Sequence, residues 1–371
     1  MERTARWTWP AVVLCAPAAA AGSAAAQGET PRELAVGGEG VFRPGLNLQG
    51  WFLTQINDED ETDVDADITE TFRLRRAQIF ARGRIVEDLV SYSVMIDPAR
   101  VLEFREFPVL PADPDNPGET VVVRQPPDGG AVAMLQDVFI TFHLPYVDVS
   151  LGQFKIPVSW EGYNSTSRLL FPEQATVVRT YGGSRDMGIR LEKKFDRFGY
   201  SAGIFSGEGA NALDSNDQKD LTLRLETYPV PGMTIAGVAW VAVGERDAAG
   251  TKDRFEVDVR WEHGPFLFQS EYINARDVND AGRTIEAHGF YAALAWTFLD
   301  VLQPCVRAGH YNPDIYVDGT TPKTDESWEF NVGLNYYIRR HDAKLQLSYS
   351  RFQFDDLTPR NEIILAAQVA Y

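Results

Sequence analysis

Apolar and polar side chains alternate along most of the chain with a period of two, and the closing stretch shows it most plainly. Trp328, Phe330, Val332, Leu334, Tyr336 and Ile338 interleave with Glu329, Asn331, Gly333, Asn335, Tyr337 and Arg339. After the polar break Arg339–Asp342, Leu345, Leu347 and Tyr349 interleave with Lys344, Gln346, Ser348 and Ser350. A break at 355–360 leads to a last run, Ile363 to Tyr371, ending on an aromatic residue. Successive side chains of a strand point to opposite faces, so this pattern predicts strands with one apolar and one polar face.

The same pattern predicts strands over 44–56, 72–85, 89–97, 134–142, 147–156, from Met187, 200–206, from Leu221, 233–243, 254–262, 266–275, 285–298 and 303–312, followed by the three closing runs. That makes sixteen. Every second connection is short, near residues 87, 145, 197, 230, 264, 300 and 341, while the intervening ones are longer. An even strand count with alternating short and long connections predicts an all-β fold: a 16-stranded antiparallel transmembrane β-barrel with short periplasmic turns and longer extracellular loops. Its last strand should pair with its first, because lipid leaves no partner for an open sheet edge. Aromatics beside the short turns (Tyr146, Phe198, Tyr228, Trp261, Phe266, Trp296, Phe298, Tyr336, Tyr371) suit a periplasmic girdle.

Hydropathy and charge sharpen this picture. The 371 residues carry a net charge of −18, which disfavours a nucleic-acid partner. No 18-residue apolar run stands outside the N-terminus, which excludes a helical membrane protein but not a barrel. At the N-terminus, Arg3 and Arg6, an Ala-rich apolar core and Ala24–Ala26 read as a signal peptide over 1–26. A short tether over 27–42 and a barrel domain over 43–371 then follow, in the outer membrane of a Gram-negative-type bacterium. Cys305 is the one cysteine beyond the signal, so no internal disulfide is expected.

Function follows from the faces. Charged residues share the polar face of several strands, and an Arg or Lys facing lipid at mid-depth costs about 2–4 kcal/mol. They therefore face the lumen, and a lumen of sixteen strands is wide enough for an aqueous channel. Two segments are candidates to narrow it. The Pro-rich stretch 99–131, with no regular pattern, suits an external flap. Residues 159–183 carry Arg168, Glu173 and Arg179 beside the apolar anchors Leu169, Leu170 and Phe171, which could pin the segment to the inner wall.

Other signals are weaker. Asp63, Asp65 and Asp67 resemble the start of a calcium loop but lack its glycine and closing glutamate, and no metal or cofactor is expected. The five histidines show no metal-binding spacing, and no G-x-S-x-G stands in the chain, though His288 and His310 lie where a rim enzyme would hold them. A structural or adhesive barrel binding a partner through its loops is the alternative to a pore.

The chain resembles the phosphate-selective porin O and P family. The residues that carry the likeness are Phe72–Gln78, Leu151–Pro157, Arg185–Ile189 and Gly203–Gly209, in that order. The resemblance extends over roughly residues 43–371. It implies an outer-membrane porin of sixteen strands, usually trimeric, passing small hydrophilic solutes, with anions such as phosphate drawn through an eyelet of Arg and Lys. Outer-membrane lipid and lipopolysaccharide are the expected surroundings, and the acidic loop at Asp63, Asp65 and Asp67 could bind divalent cations shared with lipopolysaccharide. The terminal Tyr371 fits the signal read by barrel assembly machinery. On lumen parity stand Arg76, Arg82, Arg84, Arg190, Arg224 and Arg260; Lys155, Arg168 and Arg179 complete the candidate anion-binding set. Two arrangements stay open: a free basic track, or pairing of each base with a lumen acid such as Glu192, Glu226, Glu256 or Asp258.

Overall fold

In the computed structural model the described residues are 34–36, 40–57, 68–86, 88–102, 105–109, 121–125, 134–244, 250–278, 282–316, 326–355 and 358–371. Sixteen antiparallel strands close into a barrel, each paired with its sequence neighbours. They are β1 (Gly40–Asn57), β2 (Ile68–Val86), β3 (Val90–Ile96), β4 (Leu135–His143), β5 (Asp148–Lys155), β6 (Arg185–Lys194), β7 (Phe198–Phe205) and β8 (Lys219–Thr227). The other half is β9 (Met233–Val243), β10 (Lys252–His263), β11 (Phe266–Val278), β12 (Thr284–Trp296), β13 (Leu302–Tyr316), β14 (Ser327–Arg339), β15 (Ala343–Phe354) and β16 (Arg360–Ala370). The expected pairing of the chain ends is present: β16 lies against β1 from Arg360↔Asn57 to Ala370↔Asn47. Leu46 and Tyr371 exchange both backbone hydrogen bonds at 3.0 Å, extending the seam to the last residue.

The barrel is apolar outside and polar inside. Leu221, Leu223, Leu225, Phe255, Val257, Phe330 and Val332 are exposed, whereas Arg224, Glu256, Asp258, Glu329, Lys344 and Gln346 are buried. Lipid makes the apolar outer face favourable where water would oppose it, and the polar face suits a wet lumen. Tyr146, Phe198, Trp296, Phe298, Tyr336 and Tyr371 are exposed at the short-turn end, and Trp261, Phe266 and Trp296 pack edge to face there. Tyr228 departs from the expected girdle. Its hydroxyl donates to Glu226, a lumen residue, so the ring is drawn inward.

Three local features differ from expectation. Residues 105–109 and 121–125 pair as a two-stranded hairpin inside the stretch expected to lack a pattern. The first strand begins at Gly40, and Leu34–Val36 folds back onto Gly40–Phe42, so part of the expected tether is sheet. A register shift at Gln49/Gly50 interrupts the pairing of β1 with β2. The extra residue of such a bulge resets inside–outside parity. Asp63, Asp65 and Asp67 lie outside the described residues.

Candidate pore constriction

The longest fully described connection, 156–184, runs into the barrel. Two short helices, α1 (Trp160–Tyr163) and α2 (Thr176–Tyr181), flank a 3-10 turn at Thr166–Arg168. Ser159 opens α1 by accepting from the Gly162 amide at 3.0 Å. Leu169, Leu170 and Phe171 between the helices have only 2%, 6% and 2% of their surface exposed. Leaving three large apolar residues in water would be costly, and the inner wall receives them. Two lumen-facing glycines make the room. A Cβ at Gly333 would stand 2.9 Å from the Phe171 ring, and one at Gly289 would stand 2.9 Å from Val177.

Irregular backbone inside a barrel needs partners for its polar groups, and the wall supplies them. The Leu169 carbonyl accepts from Lys344 Nζ at 2.8 Å, and the Leu170 carbonyl accepts from Asn335 at 2.9 Å and Gln346 at 3.2 Å. The Pro172 carbonyl accepts from Arg76 at 3.3 Å and that of Glu173 from Arg307 at 3.1 Å. Wall carboxylates serve the segment's donors. Glu271 accepts from Ser159 Oγ and from the Glu161 amide, and Glu329 accepts from Thr176 Oγ. Gln368 reaches the Ser167 carbonyl and Asn47 reaches Thr166. The segment leaves β5 and is tied to β11, β13, β14, β15, β16, β1 and β2.

Its firmest tie is ionic. The bulge turns the consecutive residues Arg75 and Arg76 onto one carboxylate, with Arg75 Nε 2.8 Å and Arg76 Nη2 3.2 Å from the two oxygens of Glu173. Burial pushes the Glu173 carboxyl up, but the two guanidinium groups outweigh it and hold it at about 2. Glu161 on α1 shows the opposite balance. Burial raises it to about 8 against the pull of Arg307, and its Oε2 accepts from the Ala175 amide at 3.0 Å, bracing the two ends of the inward span.

The candidate bases separate into two groups. Arg76 is spent on the clasp. Arg190 pairs with Glu192 at 2.9 Å and lies 4.5 Å over Phe154. Arg224 meets Glu226 at 2.8 Å and Asp258 at 2.6 Å. Arg260 binds Glu262 and stacks 4.1 Å over Trp160. Arg84 meets Asp88 at 3.3 Å near a short turn. Lys155 donates to the carbonyls of Gly162 and Asn164 at 2.7 and 2.8 Å, where the end of α1 attracts a cation. For the arginines among these residues the paired arrangement holds, whereas Lys155 is held by carbonyls. Arg82 lies 4.5 Å over Phe80 and is exposed. Arg168 and Arg179 are exposed and have no ion-pair partner among the described residues.

These two arginines sit on different faces of the segment. Arg168 lines a cavity of about 530 Å³ with Arg260, Arg340 and His341, at the short-turn end. Arg179 stands with Arg307, Glu329, Phe352 and Glu362, toward the other end. Asn335, Lys344, Gln346, Arg307, Glu271 and Glu329 do much of the holding and were not among the candidates. The lumen parity of Glu329, Asn335, Lys344 and Gln346 was readable on β14 and β15, but their partners were not. At the outer face, His310 pairs with Glu326 and packs against Phe290 and Trp328, with His288 5.7 Å away. No group of three or more His, Cys, Asp or Glu able to hold a metal occurs among the described residues.

Residues 45–239 match the family model described as phosphate-selective porin O and P. No curated protein sequence matches the chain. Solved structures share the fold. The anion-selective porin from Comamonas acidovorans aligns at TM-score 0.58 and 10% identity, over 90% of this chain and 100% of its own. The outer membrane channel DcaP of Acinetobacter baumannii gives 0.59 and 11%, over 91% and 99%. The trimer form of OmpT from Vibrio cholerae gives 0.54 and 12%, over 90% and 100%.

Proposed function

Because the chain belongs to the phosphate-selective porin O and P family and is an outer-membrane channel, we propose that it passes small hydrophilic anions by diffusion, through a lumen narrowed by residues 156–184. The observation that carries this reading is the seating of that segment. Its carbonyls are bonded to wall side chains while Arg168 and Arg179 stay exposed, one on each face. A solute entering from either end meets an exposed guanidinium on the inward segment, and fixed charge there raises the local concentration of counter-ions. Arg82 adds a third exposed base near the short-turn end. The bases held by carboxylates or carbonyls contribute less, since their donors are already engaged.

The family and the fold are those of a non-enzymatic channel. Short turns face the periplasm and long loops the outside in this reading, with the signal peptide at 1–26 and the barrel domain at 43–371. A homotrimer is supported by the trimer form of the Vibrio cholerae relative in fold. The exposed apolar wall takes outer-membrane lipid and lipopolysaccharide, and Tyr371, bonded into the closing seam, is offered to assembly machinery before the seam forms. Reconstitution into planar bilayers tests the function: discrete ion-conducting steps are expected, and a folded protein that never conducts contradicts it.

A further inference from the structure

The cavity of about 530 Å³ at the short-turn end has a composition that the channel function alone does not require. It is built from three turns and the underside of the inward segment. Leu170 and Leu267, 6% and 8% exposed, contribute apolar patches to its lining. One wall is formed by Tyr337 and His341, whose rings meet edge to face at 5.4 Å. Its rim is cationic. Arg168 and Arg340 are exposed there and have no ion-pair partner among the described residues. Arg260 is neutralised by Glu262, leaving Asp300 as the opposing carboxylate at the rim.

Two observations point to an occupant. His341 Nδ1 is buried at this wall without a hydrogen-bond partner. Burial, together with Lys344, Arg168 and Arg260, holds that imidazole down at about 4, so it is neutral at pH 7 and can serve as a hydrogen-bonding wall. Arg340 sits at φ 46°, in the left-handed region. A bulky side chain is unfavourable there, and asparagine or glycine would suit the turn better.

We propose that this cavity is a binding site for a small organic monoanion with a flat apolar body. The carboxylate lies against Arg168 and Arg340, and the body rests on Leu170 and Leu267. A concave apolar floor with a few convergent polar groups is the common form of a small-molecule site, and guanidinium forks suit a carboxylate. Two free cations against Asp300 leave an excess of one positive charge, which matches a monoanion better than a phosphate dianion. This site rests on the channel reading and adds a solute class to it.

The test is block of the KCl current of the reconstituted wild-type channel by benzoate, acetate, inorganic phosphate and benzylammonium. Benzoate is expected to half-block at concentrations about tenfold below acetate and phosphate, and benzylammonium not to block. Equal potency of benzoate and acetate overturns the site, since the apolar body would then contribute nothing. Equal potency of phosphate, or block by benzylammonium, overturns the site. Arg340→Asn keeps a residue tolerant of the left-handed backbone and should raise the half-blocking benzoate concentration about tenfold. An unchanged value in a variant that runs as a folded, heat-modifiable barrel on gels overturns the site as well. Absence of any wild-type KCl current contradicts the channel reading instead, which separates the two failures.

Discussion

Arg76 and Glu173, 97 residues apart in the chain, meet inside the barrel with Nη2 3.2 Å from Oε1. Arg75, turned inward by the bulge, holds the other oxygen of the same carboxylate. This clasp joins the β2 wall to the segment that narrows the lumen.

Glu173→Gln should loosen the segment and strengthen anion preference together. Breaking a buried pair from one side costs about 3–5 kcal/mol, and two guanidinium groups lose their carboxylate. Single-channel recording should show noisier currents and a reversal potential shifted further toward anions. Quiet currents with unchanged selectivity would mean that the clasp does not hold the segment.

The pH dependence has two limbs. Glu173 is held at about 2, so its contribution is complete above the ordinary carboxylate value of 4.5 and fades as pH falls toward 2. Glu161 is raised to about 8, so the seated segment binds a proton that the freed carboxyl releases; seating weakens as pH rises from about 4.5 to about 8. Current noise should therefore be lowest near pH 5. Glu161→Gln should flatten the alkaline limb and Glu173→Gln the acid one. A monotonic profile in the wild type contradicts both assignments.

Gly333→Val should lift Phe171 from the wall. The added Cβ would stand 2.8 Å from Cys305 Sγ and 2.9 Å from the Phe171 ring, and overpacking of this kind costs about 1–3 kcal/mol. Cys305, buried in the native protein, should then react with a charged maleimide many times faster, as read by mass spectrometry. Equal labelling of both proteins would show that Phe171 does not cover the thiol.

Val332→Arg places a charge on the lipid face at mid-strand, where Val332 is 58% exposed. A loss of about 2–4 kcal/mol is expected in urea titration of the vesicle-inserted barrel. Val332→Leu should cost almost nothing, and similar losses for both would contradict the assignment of the outer face.

The inward course of 159–183 was legible in the sequence only as one of two candidates beside 99–131, whereas strand number and the seam of β1 with β16 were legible outright. Each follows from period-two patterning or from the need to close a sheet in lipid. The pairing of Arg190 and Arg224 with Glu192, Glu226 and Asp258 was readable only as one of two arrangements, because it depends on cross-strand register. Arg75 was missed altogether. A bulge leaves no mark in an Arg-Leu-Arg-Arg run, and parity counted from Arg76 sends its neighbour outward. Lys155 was placed in the pore because its strand position allowed it. The carbonyls that hold it belong to α1, which forms only once the segment has entered the barrel.

Selectivity should reside mainly in Arg168 and Arg179. The double variant Arg168→Gln, Arg179→Gln is expected to lose most anion preference, whereas Arg224→Gln should destabilise the barrel with a smaller effect on selectivity. Equal selectivity losses in the two proteins would point to the paired bases of the wall.

The central claim is an open channel biased toward anions by exposed bases on the inward segment. Its most direct test is the zero-current potential of the wild-type protein in a planar bilayer across a tenfold KCl gradient. The account predicts a potential of the sign given by chloride permeating faster than potassium. A potential of the opposite sign would contradict it.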